Sequence, residues 1–150
     1  MNIAFFLSPK SEVVYLYRDM PLSQAMEIME EHRYQALPIL NTDGTCFGVI
    51  AEGDILWALY GKEKTGITMD TLLEKIPRYR EYQTVKISED MDSLLEAACR
   101  QSFVPVTDDS GIFIGIIRRR DIIEYYSHER TPARSCAPAV RTGVLHGCVI

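Results

Sequence analysis

Gly115-Ile-Ile-Arg-Arg-Arg-Asp-Ile-Ile123 decides the fold: a short apolar strand runs into three arginines and then into a carboxylate that opens a helix. The chain has already used this phrase once. Gly48-Val-Ile-Ala-Glu-Gly-Asp-Ile-Leu56 carries glycine, isoleucine, aspartate and isoleucine at the matching positions, which means that one supersecondary unit is built twice.

Working outward from the first copy, Ala36-Leu-Pro-Ile-Leu40 reads as a short buried strand, Asn41-Thr-Asp-Gly44 as a hairpin turn and residues 46–51 as the return strand. Upstream, Asp19-Met-Pro21 punctuates the chain. Leu22, Ala25, Met26 and Met29 then follow at i, i+3, i+4 and i+7, which predicts a helix ending near His32 with one apolar stripe turned to a core. Residues 13–17 alternate and are β-branched enough for a strand. Downstream, residues 54–60 form a helix that is apolar nearly all round, so something should cover it on both sides.

The second copy follows the same order. Residues 84–87 are its strand, and Leu94, Ala97, Ala98 and Gln101 repeat the helical spacing, with Gln101 where Met29 stood. Phe103-Val-Pro-Val106, the turn Asp109-Ser-Gly111 and a return strand over 112–117 complete it. Counted back from the two prolines, this copy is about five residues shorter, a little over one helical turn, which predicts a stubby first helix. Between the copies lie a glycine-bounded polar linker, Gly61-Lys-Glu-Lys-Thr-Gly66, a short helix over 68–75 and a turn at Ile76-Pro-Arg-Tyr-Arg80.

Each copy is thus strand, helix, strand, strand, helix, too small to bury its own sheet. The expectation is an α+β fold in which the two units pack with pseudo-twofold symmetry. The division is a first unit over 6–60, a linker and lead-in helix over 61–76, a second unit over 77–127 and an irregular tail over 128–150, where periodicity stops.

Composition excludes several classes of function. A formal charge of -5 argues against bulk attraction to nucleic acid or to an anionic membrane, so any anion site must be local. No apolar run approaches the ~20 residues of a membrane span, and Ile3-Ala-Phe-Phe-Leu7 lacks the flank and length of a secretory signal, which reads as a cytoplasmic protein. Cys46, Cys99, Cys136 and Cys148 show no metal-ligand or disulfide spacing, and Cys46 and Cys99 are expected to be reduced and buried. His32, His128 and His146 have no partners at ligand spacing, so no metal site is expected. There is no phosphate-binding glycine loop opening a helix and no nucleophile elbow, which places an enzyme last among the readings.

Over residues 6–126 the duplicated unit resembles a tandem pair of CBS (cystathionine beta-synthase) domains, a Bateman module of the stand-alone bacterial type. In that family each repeat carries h-P-h-h in its middle strand and ends G-h-h-S/T-x-x-D-h-h, where h is apolar. Leu37-Pro-Ile-Leu40 with Gly48 to Leu56, and Val104-Pro-Val106 with Gly115 to Ile123, fit this pattern. Leu7-Ser8-Pro9-Lys10 is similar to the segment that leads into the family's first strand.

The resemblance implies two clefts between the repeats that bind AMP, ADP, ATP, S-adenosylmethionine or cyclic di-AMP as a regulatory ligand, with no cofactor required. It assigns the motif aspartates, Asp54 and Asp121, to the ribose hydroxyls, one in each cleft. A carboxylate can accept from both vicinal hydroxyls, and such charge-assisted bonds are strong. The family's Ser/Thr is replaced by Ala51 and by Arg118. Ala51 lacks a donor and Glu52 would repel phosphate, so the Asp54 cleft is expected to be empty or to hold a nucleoside-like ligand. Arg118, Arg119 and Arg120 stand where a helix start already favours an anion, and the phosphates are expected there. Carried over from the family, Lys10, Glu12, Val13, Gln35, Ala36 and Leu37 form the adenine end of the Asp121 cleft. Arg78, Tyr79, Ser102, Phe103 and Val104 form that of the Asp54 cleft.

Plainer roles exist for each of these groups. Asp54 and Asp121 can simply cap their helices, and the three arginines can be a solvated face, since consecutive helical residues point apart. Lys10 can be an ordinary surface lysine, and Trp57, Tyr125 and Tyr126 read as packing or interface residues. The function read from the chain is a non-enzymatic, homodimeric adenine-nucleotide sensor that signals to an effector protein. The alternatives are a cyclic di-AMP receptor and a structural dimerisation module with degenerate clefts.

Overall fold

The computed structural model describes residues 1–129 of the 150. The elements run β1 (Ser8–Pro9), β2 (Leu16–Tyr17), α1 (Leu22–His32), β3 (Ala36–Leu40), β4 (Cys46–Ala51), α2 (Glu52–Tyr60), α3 (Lys62–Thr65), β5 (Val85–Lys86), α4 (Met91–Arg100), β6 (Phe103–Thr107), β7 (Phe113–Arg118) and α5 (Arg119–Glu129). Short 3-10 turns over Ile3–Phe6, Lys10–Glu12 and Leu73–Lys75 join them. This is the expected mixed fold of two like units.

In each unit the middle strand is buried along its whole length, pairing antiparallel with the return strand and parallel with a two-residue strand. The repeated proline explains why that parallel strand is short. Pro38 and Pro105 offer no N–H, and the parallel pairing begins only beyond them, at Ile39 and Val106. The tight hairpins turn at Gly44 and Gly111, whose φ values of 86° and 89° suit glycine.

The first sheet is β2-β3-β4 and the second β1-β7-β6-β5. The second gains its extra strand from the start of the chain, since Ser8 and Pro9 of β1 pair with Ile116 and Gly115 of β7. The cores are exchanged likewise. Ile3 and Phe6 are buried with the second unit, while Phe103, Phe113 and Ile116 of the second unit are buried with the first. At the hairpin ends, Phe113 N–H donates to the Gly44 carbonyl across 3.0 Å. The units interlock rather than merely touch.

Several local expectations need correcting. The first helix of the second unit is not stubby: α4 starts at Met91 behind an Asp90 cap and has 10 residues against 11 in α1. By spacing Leu94 corresponds to the first residue of α1, whereas α4 begins a turn earlier because the Asp90 carboxylate accepts from Ser93 N–H. Gln101 has left the helix. It is extended and buried, and its amide bonds Gln83 and Phe103 backbone, which an apolar stripe residue could not do. The strand foreseen over 13–17 shrinks to Leu16–Tyr17, and the helix foreseen over 68–75 to the turn Leu73–Lys75, the linker being tied backbone to backbone along the first unit. Cys99 is exposed rather than buried, although Cys46 is half-buried.

The cover expected on both sides of α2 is present on one side only. Ile55 and Ala58 are buried, but Leu56, Trp57 and Tyr60 are 58%, 66% and 82% exposed. Of the tail foreseen over 128–150, His128 and Glu129 end α5, and the remainder, with Cys136, Cys148 and His146, lies outside the described residues. Among the described residues no helix is long and apolar enough to cross a membrane.

Candidate functional site

The exchange of lead-in segments builds two related junctions between the units. At one, residues 7–13 run along β7, and the absence of a Cβ at Gly115 lets the Ser8 carbonyl oxygen pass against the strand. At the other, residues 77–82 run along β4 and the start of α2. Here Arg78 takes the part of the strand: its guanidinium donates to the Phe47 carbonyl at 3.3 Å, lies 4.6 Å from the Phe47 ring centroid and fills the space a Cβ at Gly48 would need. The two glycines of the repeated motif are therefore contact points for the opposite lead-ins.

Asp54 sits at the third position of α2 and both its oxygens are engaged. Oδ2 accepts from Ala51 N–H at 2.9 Å, capping the helix, and Oδ1 accepts from Tyr79 N–H at 2.9 Å, holding the second lead-in. Beside it opens a cavity of about 830 Å³ walled by Ala51, Asp54, Trp57, Thr65, Arg78, Tyr79, Arg80 and Tyr82 among others. Its wall includes one carboxylate residue, two arginines and three aromatic residues. Glu52, expected to repel phosphate at this point, lines a separate groove with Tyr34 and Gln35 instead, because successive residues at a helix start face different ways.

The Asp121 junction is electrostatically closed by its own residues. Arg118 Nε donates to Asp121 Oδ2 at 2.9 Å, with both side chains about one third exposed. The three arginines splay: Arg119 reaches the Ala98 carbonyl at 3.4 Å, and Arg120 meets Glu124 at 2.8 Å. Arg118 acts on the first unit: burial pushes the Tyr34 hydroxyl pKa up, and the Arg118 charge draws it partly back.

The remaining expected site residues divide by burial. Ala36, Leu37, Phe103 and Val104 are core side chains of β3 and β6, leaving backbone to a ligand; the Phe103 ring lies 5.4 Å from Tyr82. Gln35 is exposed, and its carbonyl accepts from Glu52 N–H as that of Ser102 accepts from Arg119 N–H. Lys10 lies over the Tyr15 ring at 5.1 Å, and Val13 is half-buried beside the first core. Trp57, Arg80 and Tyr82 are cavity residues that the sequence reading did not assign. Trp57 stands three positions after Asp54 and Tyr82 three after Tyr79, but only the fold shows that these faces converge. Among the described residues no cluster could hold a metal ion.

The family description of the CBS domain matches residues 6–61 and again 80–128. An uncharacterized protein of Methanocaldococcus jannaschii is 23% identical in an alignment of 141 positions that covers 74% of this chain and 84% of that one. Among solved structures, a hypothetical conserved protein of Geobacillus kaustophilus superposes with a TM-score of 0.76 at 22% identity, over 86% of this chain and 98% of its own. A structure of CbpB in complex with c-di-AMP gives 0.73 at 18% identity and 85% of each chain. One of CBSX2 in complex with AMP gives 0.70 at 19%, over 87% of this chain and 98% of its own.

Proposed function

The chain belongs to the CBS-domain family, with the domain present twice, and from that premise we propose that it is a regulatory module binding an adenine nucleotide between its repeats. The observation that carries the proposal is the cavity of about 830 Å³ at Asp54, whose wall combines a motif carboxylate with Arg78, Arg80, Trp57, Tyr79 and Tyr82. A purine can stack on such rings, a sugar hydroxyl can donate to the carboxylate, and guanidinium groups suit phosphate. Two fold neighbours were solved with such ligands, AMP and c-di-AMP, which lends support at the level of the fold.

On this reading the first nucleotide binds at Asp54. The Asp121 junction, with Arg118, Lys10, Val13, Gln35, Ala36 and Leu37, is the second cleft, filled only when a ligand parts the Arg118–Asp121 pair. The module acts without catalysing a reaction, as a ligand can shift an equilibrium only by binding one arrangement better than another. The exposed faces of α2 at Leu56, Trp57 and Tyr60 and of α5 at Ile123 and Tyr126 are proposed to pair two copies of the chain, and an effector protein then reads their arrangement.

Calorimetric titration with AMP, ATP, S-adenosylmethionine and cyclic di-AMP tests the reading, with the emission of the single tryptophan, Trp57, as a second signal from the cavity wall. Binding by at least one of them, with one binding event lost in Asp54→Ala, supports it. Folded protein that gives neither heat nor a change in emission with any of the four refutes it, and leaves a dimerisation module.

A further inference from the structure

We infer that Asp54 is shared between the ligand and the linker, so that filling the cleft releases Tyr79 and slackens the span joining the two repeats. The inference rests on the nucleotide reading above and names how that site is read out.

Up to Tyr79 the linker belongs to the first repeat. Leu73 N–H donates to the Met20 carbonyl at 2.9 Å, Glu74 N–H to that of Arg18 at 3.0 Å, and the Glu74 carboxylate pairs with Arg18 at 3.2 Å. Arg78 and Tyr79 then add the anchors on Phe47 and Asp54. From Gln83 onward the chain belongs to the second repeat, because Gln101 bonds both its N–H and its carbonyl, at 2.9 and 2.8 Å. Only residues 80 and 81 hang between the anchors, since Tyr82 packs on the Phe103 ring at 5.4 Å, and Arg80 and Tyr82 both wall the cavity.

A vicinal diol reaching Asp54 needs acceptors for two hydroxyls. Oδ2 already caps α2 through Ala51, and giving that up would fray the helix start. Oδ1 holds only the Tyr79 N–H, on a residue 89% exposed whose amide can turn to water at once. A carboxylate has about four lone-pair sites, so a diol competes with these two bonds for direction rather than for the last acceptor, and the linker bond is the one that gives way. Once it breaks, the last anchor on the first repeat recedes to Arg78, and the span grows by one residue, worth up to ~3.5 Å of reach. Ligand occupancy is converted into slack in the second lead-in, a part of the chain that touches both repeats, while the β1–β7 pairing and the shared core keep the repeats together.

Hydrogen exchange of backbone amides, followed by NMR on the full chain with AMP or cyclic di-AMP at saturation, tests this. Exchange at Tyr79 should speed up about tenfold or more, with Ala51 and Gln83 unchanged. A full chain carrying an ester in place of the Tyr79 amide, which removes the donor and keeps both the tyrosine side chain and the carboxylate, should bind the same nucleotide several-fold more tightly while keeping its circular dichroism. A nucleotide that binds while Tyr79 stays equally protected overturns the sharing of Asp54 and leaves the nucleotide reading intact. If no nucleotide binds, both fall together.

Discussion

A Cβ at Gly115 would overlap the carbonyl oxygen of Ser8 and press on Pro9 Cα at 3.1 Å, so the first lead-in and the last strand touch backbone to backbone. At the equivalent Gly48 the neighbour is the guanidinium of Arg78. The same motif position is thus rigid in one repeat and yielding in the other.

Alanine at the two glycines should separate these cases. Gly115→Ala has no flexible group to displace and must part β1 from β7, at a cost of about 1–3 kcal/mol. Gly48→Ala needs only that Arg78 swing away, and should cost less than about 1 kcal/mol while loosening the second lead-in. Urea denaturation of both variants measures the difference, and equal losses would contradict it.

Gln101→Ala should destabilise the fold by about 1–3 kcal/mol, because the Gln83 N–H and carbonyl and the Phe103 carbonyl all lose their partner. Thermal unfolding monitored by circular dichroism is the check. A shift as small as that of an exposed glutamine would show that water replaces the amide without penalty.

The motif aspartates should differ in stability and agree in binding. Asp54→Ala removes the α2 cap and the Tyr79 anchor, costing about 0.5–2 kcal/mol for the cap alone. Asp121→Ala breaks only a part-exposed pair with Arg118, worth about 0–1 kcal/mol. In calorimetry each should delete one binding event and spare the other. A single variant abolishing all binding would mean one cleft, not two.

Burial pushes the Cys46 thiol from its ordinary value of 9.0 up to about 11, against smaller opposing effects from the Gly48 backbone and Arg78. A thiol raised on folding stabilises the native state fully below its unfolded pKa and progressively less above it. Stability should therefore fall between pH 9 and about 11. Cys46→Ala should flatten that slope in denaturation midpoints taken across the window. In native protein at pH 8 a thiol reagent should label the exposed Cys99 well before Cys46.

What could be read in advance was local. The bounds of α1, β3 and β4 follow from helical spacing, a five-residue buried run and an Asn-Thr-Asp-Gly turn, all signals carried by near neighbours. Errors arose where one local pattern competed with a distant one. Leu94 to Gln101 satisfies helical spacing, yet Gln101 is drawn out of the helix by backbone groups eighteen residues upstream. Glu52 stands beside Ala51 in the chain, yet lines a different groove from Asp54.

The sequence by itself determined that there are two copies of one unit and which family they belong to, because a repeated pattern of turns, prolines and aspartates needs no partner to be recognised. Tertiary structure alone decided that each lead-in lies on the opposite repeat, that Asp54 holds Tyr79, and that Arg118 closes on Asp121 while a cavity stays open at Asp54. The donors concerned are largely backbone N–H groups and a freely rotating guanidinium. Every residue type offers such a backbone donor, so only packing in three dimensions selects which one meets the carboxylate.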